Sequence, residues 1–198
     1  MPSQMFGDTT TQSNVTAGRD NAGGDINNTN SNNQIFNVSF GDEKSPIAAW
    51  MALLVEEIKH NQQASDFIDT LQMYHEKHSH DGVDGLEAKL HHSGRQSEVS
   101  LALRKKELFR RLLAKYSMFE SAQQIFAYLL SKLEQDFRSY VLPNLANRSG
   151  GEIDELFGQY VVGPCATEIK SGVFCLNAAI AAGMVYWLAE QCYVRWHA

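Results

Sequence analysis

Apolar residues recur at spacings of three and four along most of the chain after residue 45, with polar residues between them. This is the period of one face of an α-helix, whereas a half-buried strand would alternate at every second residue. Ser45 and Pro46 precede the first such run, and both residue types are typical of a helix start. The helix is predicted to reach about His60. Its apolar face consists of Ile47, Trp50, Met51, Leu54, Val55 and Ile58.

The same period continues towards the C-terminus and predicts a mainly α class, with a domain of about five to six helices over residues 45–198. A short helical piece carries Phe67, Ile68, Leu71 and Tyr74. Further helices are predicted from about Glu98 to Tyr116, Ser121 to Val141, Glu152 to Tyr160 and Leu176 to Gln191. Residues 78–97, rich in Gly and His, predict a loop. Gly163-Pro164 predicts a helix break, and the last seven residues an extended end.

Residues 1–44 form a separate zone that is rich in Asn and Gly. Within it the stretch QIFNVSF alternates apolar and polar residues, which predicts a short strand. So polar a segment cannot bury enough apolar surface to order itself alone. We therefore expect its strands to pair with those of sister chains in a homo-oligomer. The predicted oligomerisation contacts are the apolar residues Val15, Ile26, Ile35, Phe36, Val38 and Phe40.

Composition narrows the class of protein. The 198 residues are 43% hydrophobic and carry a net charge of −6, which argues against a dedicated nucleic-acid binder. The N-terminus lacks the basic and apolar regions of a secretory signal. The longest apolar run, Leu176 to Ala189, is shorter than the ~20 residues of a membrane span. These features predict a cytoplasmic protein with no membrane partner. The cysteines Cys165, Cys175 and Cys192 are interpreted as buried, reduced thiols.

The stretch RKKELFRRLLAK, residues 104–115, is the basic cluster of the sequence. On a helix its cations flank an apolar stripe, and such cations are usually solvated while their stems cover apolar surface. They are also suited to an acidic protein partner or to phosphates, and we favour the protein partner. The predicted contact residues are Arg104, Lys106, Arg110, Arg111 and Lys115.

The stretch HEKHSHD brings His75, His78, His80 and Asp81 close together in sequence. His75 and His78 are spaced to share a helix face, so a metal site is one interpretation. A solvated helix end is favoured, because the run lies beside Gly82 and lacks fixed ligand geometry. The chain shows no known catalytic pattern. We therefore predict no enzymatic activity, no cofactor and no metal.

The C-terminal stretch AGMVYWLAEQCYVRWHA resembles the closing signature of small C-terminal domains of bacterial ABC-three-component (Lamassu-like) conflict systems. Tyr193 stands where that signature often has His after the cysteine. The lead GRDNAGGDIN resembles N-terminal extensions on proteins of prokaryotic immune systems. The matching residues of the signature are Gly183, Met184, Val185, Tyr186, Trp187, Leu188, Cys192, Tyr193, Val194, Arg195 and Trp196.

The resemblance implies a role in anti-phage defence, in systems that pair an SMC-like ABC ATPase with an effector. Residues 1–44 are too short for a nuclease or similar module, which implies a stand-alone adaptor or scaffold for an effector or ATPase of the same system. Trp196 with Arg195 favours a further interface, with a core position for Trp196 as the alternative. A small nucleic-acid-sensing protein that uses Arg104–Lys115 and a phage-type trimeric fibre or adhesin tip remain alternative hypotheses.

Overall fold

A computed structural model describes residues 45–78, 82–168, 173–174 and 177–197 of the chain. These residues form helices and connecting turns, with no strand among them, so the predicted mainly α class is confirmed. The strands predicted in residues 1–44 lie outside the described residues. The helices are α1 (Ile47–His60), α2 (Asp69–Met73), α3 (Gly85–His92), α4 (Val99–Tyr116), α5 (Glu120–Asp136), α6 (Gly150–Leu156), α7 (Gly163–Glu168) and α8 (Ala178–Glu190).

Helix α8 lies at the centre of the domain. Its nine consecutive residues 181–189 are all buried, as expected for a helix that is apolar around its whole circumference. The side chain of Asn177 caps its start by accepting the backbone N–H groups of Ala179 and Ile180 at 2.9 and 3.1 Å. Helices α3, α4, α5 and α7 all contact α8. The apolar run of the sequence is therefore the core helix that its length predicts.

The pair α4 and α8 is in direct backbone contact at Gly183. A Cβ atom built on Gly183 would overlap the carbonyl oxygen of Lys105 and would lie 2.9 Å from its carbonyl carbon. The Cβ of Phe109 would be 3.3 Å away. Only a glycine allows this approach, because every other side chain places an atom where the backbone of α4 already lies.

Helix α1 is confirmed with the predicted bounds and packs against α5. It buries Ile47, Met51 and Leu54. The carboxylate of Glu57 accepts hydrogen bonds from the backbone N–H of Ser121, at 3.2 Å, and from its hydroxyl, at 2.8 Å. Because Ser121 lies in the first turn of α5, this carboxylate satisfies a backbone donor at the helix start.

The predicted loop over residues 78–97 is wrong in part, because α3 occupies Gly85–His92. This short helix buries Leu86, Lys89 and Leu90 against α4 and α8. An isolated helix of this length is not stable in water, so its packing against α4 and α8 decides its conformation. Its three apolar residues, Leu86, Ala88 and Leu90, are too few for a periodic signal.

Two helices end in π-helical turns. After α5 the first π turn spans Phe137–Val141, and after α6 the second π turn spans Phe157–Val162. The predicted helix break at Gly163-Pro164 is wrong, since α7 begins at Gly163 directly after the second π turn. Pro164 lies in the first turn of α7. A proline has no backbone N–H to donate, and this is tolerated in the first turn of a helix. The predicted extended end, residues 192–198, forms turns and bends instead over its described residues 192–197.

Candidate functional site

Helix α4 presents a mixed apolar and basic stripe to solvent. Its buried residues Ala102, Phe109 and Leu113 lie on one side of the helix. On the other side, residues spaced by three or four are all exposed, including Leu101 and Leu108 at 44% and 46%. We call this stripe the α4 surface. It consists of Leu101, Arg104, Leu108, Arg111 and Lys115.

Some cations of the predicted basic cluster are paired with a carboxylate of the same helix, Glu107. Arg110 and Arg111 both donate to Glu107, with Nε to carboxylate oxygen distances of 2.6 and 2.9 Å. These hydrogen bonds lower the pKa of Glu107 to about 2, and the same pairing raises the pKa of Arg110. The ammonium of Lys115 lies 4.9 Å from the ring centre of Tyr116. Part of the positive charge is therefore neutralised within the helix.

Lys106 lies off the α4 surface and joins α4 to α8. Its ammonium is 3.2 Å from the Glu190 carboxylate, which also accepts the backbone N–H of Leu86 at 3.0 Å. Burial alone would raise the pKa of Glu190, but the hydrogen bonds from Leu86 and Lys106 lower it below 4.5. Glu190 thereby ties the start of α3, the middle of α4 and the end of α8 together, and the predicted partner contact at Lys106 is an internal ion pair in this structure.

The C-terminal segment, residues 191–197, closes the core with Trp196. Trp196 is fully buried, and its ring centre lies 4.9 Å from Phe137, 5.1 Å from Phe157 and 5.8 Å from Tyr186. Phe137 and Phe157 are the first residues of the two π turns, so both turns meet at this indole. Each such aromatic pair adds about 0.5–1.5 kcal/mol beyond area burial.

Arg95 fixes the same region from the connection between α3 and α4. Its guanidinium carbon lies 5.1 Å from the ring centre of Trp196. Its nitrogens pair with Asp154 and, at 2.7 Å, with Glu98. Burial would lower the pKa of Arg95, but the hydrogen bonds with Asp154 and Glu98 raise it. This buried arginine joins α6, the start of α4 and the C-terminal segment.

Arg195 and Trp196, which were predicted together as contact residues, have different environments in the structure. Arg195 is exposed, whereas Trp196 is 0% exposed and contacts the core of its own domain. Trp196 thus occupies the core position that the sequence left open as the alternative, and a partner contact of this residue stays a prediction. The six oligomerisation residues, Val15, Ile26, Ile35, Phe36, Val38 and Phe40, lie outside the described residues.

The histidine run does not gather as a ligand set in the described part of the chain. The ring of His75 lies 5.7 Å from the ring of Trp187, and that of His78 lies 4.9 Å from the ring of Tyr193. His80 and Asp81 lie outside the described residues. Among the residues that are described, no group of three or more His, Cys, Asp or Glu side chains is placed to hold a metal ion.

Two of the cysteines are described, and both are free thiols. Cys165 is buried, and burial raises the pKa of its thiol to about 12. Cys192 is half-buried, so of the two described cysteines the prediction of a buried thiol is confirmed for Cys165 and wrong for Cys192, while Cys175 lies outside the described residues. Within the described ranges, no helix has both the length and the apolar character that a membrane crossing requires.

Sequence reasoning missed Lys89 and Arg95, two buried cations of the region it predicted as a loop. Lys89 has one weak signal, its apolar neighbours Leu86 and Leu90, but these are too few to define a helix face. Arg95 carries no such signal. Its partner Glu98 is three residues away, but its two partners in α6, Gly150 and Asp154, are 55 and 59 residues away, and only the fold brings them to Arg95.

These features define a helical domain whose core contains α8 and Trp196. Residues 85–196 match the family model of C-terminal domain 9 of the ABC-three component (ABC-3C) systems. The match covers more than half of the chain, and the chain belongs to this family. No curated protein and no solved structure is a match for the chain.

Family membership confirms the resemblance expected from the C-terminal signature. The matched region begins at α3 and ends at Trp196, so it contains the α4 surface, the core helix α8 and the C-terminal segment. Helices α1 and α2 precede it. The protein is thus a component of a multi-component system.

Proposed function

We propose that this protein is a non-enzymatic adaptor of a bacterial anti-phage ABC-3C system. In this proposal, the helical domain binds an ATPase or effector of the same system, and residues 1–44 mediate self-association. Family membership supports the system, because an ABC-3C component works with other proteins of that system. The observation that carries the binding role is the α4 surface.

The α4 surface has the composition of a protein interface. Leu101 and Leu108 expose apolar area that the domain itself leaves uncovered, and Arg104, Arg111 and Lys115 surround them. Apolar residues within a polar border that includes arginine are typical of protein interfaces. The positive charges favour a partner surface that combines apolar residues with carboxylates.

Binding of the purified ABC ATPase or effector of the same system tests this assignment. Leu108→Asp places a charge in the middle of the stripe, and we expect an affinity loss of about 30-fold or more, as at an interface hot spot. Leu53→Asp is the matched control, because Leu53 on α1 is 56% exposed and lies outside the α4 surface. We expect this control to bind as the wild type. Wild-type affinity in Leu108→Asp would contradict the assignment.

Self-association rests on the composition of residues 1–44. Deletion of these residues is expected to leave a folded domain of lower oligomeric order, because α1 to α8 supply their own core. Light scattering measures the molar mass of both proteins. If the number of subunits is the same with and without residues 1–44, the extension has no part in assembly.

The exposed cations of the α4 surface are also suited to nucleic acid, so a nucleic-acid-sensing role is a second hypothesis to test. Contacts between Arg104, Arg111 and Lys115 and phosphates would give an affinity that falls steeply with salt. A triple change of these residues to Glu would then abolish a DNA or RNA mobility shift. The absence of any shift of the wild-type protein at low salt would dismiss this alternative.

A further inference from the structure

The residues of the α4 surface have the spacing of a helix-pairing seam. Its positions are separated alternately by three and four residues, namely Leu101, Arg104, Leu108, Arg111 and Lys115. This alternation keeps one line of side chains facing a second helix that crosses the first at about 20°. At a rise of about 1.5 Å per residue the line extends about 21 Å along α4, which is the length of about four turns of a partner helix.

The backbone of α4 favours a helical partner over an extended one. In the interior of an α-helix such as α4, each backbone N–H and C=O takes part in the hydrogen bonds of the helix itself. None is therefore available to pair with an added strand, as an exposed sheet edge would be. An extended segment on this surface would leave its own backbone groups without partners where it excludes water. A helical segment satisfies these groups internally, so only its side chains have to match those of α4.

The side chains of the α4 surface define the chemistry of such a helix. Leu101 and Leu108 are 44% and 46% exposed, and they lie seven residues or about 10.5 Å apart along α4. The three polar positions of the surface are all cations, and the side chain of Arg111 is 74% exposed even though it donates to Glu107. Since the whole chain has a net charge of −6, this positive line is a local feature. A complementary helix has an apolar residue at every seventh position and Asp or Glu beside it.

Exposure alone does not distinguish the α4 surface. Leu53 on α1 is 56% exposed, but residues 47–58 contain no Arg or Lys, so that face of α1 offers no charge to match. Single exposed leucines are ordinary on protein surfaces. The α4 surface differs because two exposed leucines and three cations share one line with the spacing of a helix pair.

We infer that the α4 surface binds an acidic amphipathic α-helix of the partner protein, which lies along α4 from Leu101 to Lys115. Apolar residues of that helix contact Leu101 and Leu108, and its carboxylates pair with the cations of the α4 surface. The inference rests on the proposed adaptor function and specifies the element of the partner that is recognised.

Photo-cross-linking maps this element without altering the shape of the α4 surface. The full-length protein is produced with photo-leucine in place of leucine and irradiated with the purified ABC ATPase or effector of the same system. Mass spectrometry then identifies the joined residues. We expect Leu101 and Leu108 to be joined to one segment of the partner, at residues about seven positions apart. In an extended segment the same distance corresponds to about three residues. Leu53 is the internal control, and we expect no cross-link from it to the partner.

Arg104→Glu tests the acidic character of the partner helix. We expect the affinity to fall at least ten-fold, because a like charge then faces the carboxylates. Changing the partner's Asp or Glu nearest to the cross-linked residues to Arg is expected to restore binding. Lys59→Glu is the matched control, since Lys59 is also exposed but lies on another helix, α1. We expect this control to bind as the wild type, and circular dichroism checks that both variants are folded.

Failure of the inference is distinguishable from failure of the proposed function. If neither the ATPase nor the effector binds the wild type, the proposed function is wrong and the inference is overturned with it. If a partner binds but the cross-links of Leu101 and Leu108 are absent, lie about three residues apart or lie on separate segments, the helical partner element alone is wrong. Wild-type affinity in Arg104→Glu would overturn its acidic character.

Discussion

Replacement of Gly183 by alanine tests the central packing of the domain. The new Cβ would overlap the Lys105 carbonyl oxygen and lie 2.9 Å from its carbonyl carbon, whereas carbon atoms pack at about 3.5–4.0 Å. Both clashing atoms belong to the backbone of α4, so no rotamer change relieves them. We expect the two helices to move apart by about 1 Å, which loosens the contact between α4 and α8 along its length.

The expected energy is the difference between two effects. Alanine gains about 1 kcal/mol of helix propensity over glycine, and overpacking costs about 1–3 kcal/mol, or more where backbone must shift. Because the clash involves backbone, we place the cost at the upper end and predict a net loss of about 2 kcal/mol or more. For a domain of this size that corresponds to a melting temperature lower by about 4–8 °C.

The assay is thermal unfolding followed by circular dichroism and calorimetry. Gly151→Ala is the matched control, because Gly151 lies in the first turn of α6 and a Cβ there meets no atom within 4 Å. We expect this control to be stabilised by about 0.4–1 kcal/mol, since alanine restricts the unfolded chain. A Gly183→Ala protein that melts at or above the wild-type temperature would refute the close approach of α4 and α8.

Three further predictions concern the core, the pH dependence and the thiols. Trp196→Ala removes a fully buried indole and is expected to cost about 3–5 kcal/mol of unfolding free energy, measured by chemical denaturation; a loss below 1 kcal/mol would contradict its core position. The pKa of Glu190 is lowered in the folded state, so its ion pair stabilises above pH 4.5 and is lost as the pH falls through that lowered pKa. Glu190→Gln should therefore lose less stability than the wild type on acidification, and parallel curves would contradict this. Iodoacetamide at mildly alkaline pH should modify Cys192 in the native protein and spare Cys165, whose thiol is buried with a pKa of about 12; peptide mapping by mass spectrometry detects the opposite order if it occurs.

The candidate site was predictable where it lies on a long helix. The exposure of Arg104 and Arg111 follows from the period of α4, since positions opposite a buried stripe face solvent. The pairing of Lys106 with Glu190 did not follow, because it joins residues more than 80 positions apart. The burial of Lys89 was also hidden, since the carbonyl of Ala189 to which its ammonium donates is 100 residues away.

The sequence by itself determined the long helices α1, α4, α5 and α8, because each carries enough turns for a periodic apolar stripe or is apolar throughout. It also determined family membership, through residues 85–196. Only the tertiary structure decided that α3 is helical and that Trp196 is buried. Local interactions stabilise a short segment too little to fix its conformation, so contacts with distant residues determine it.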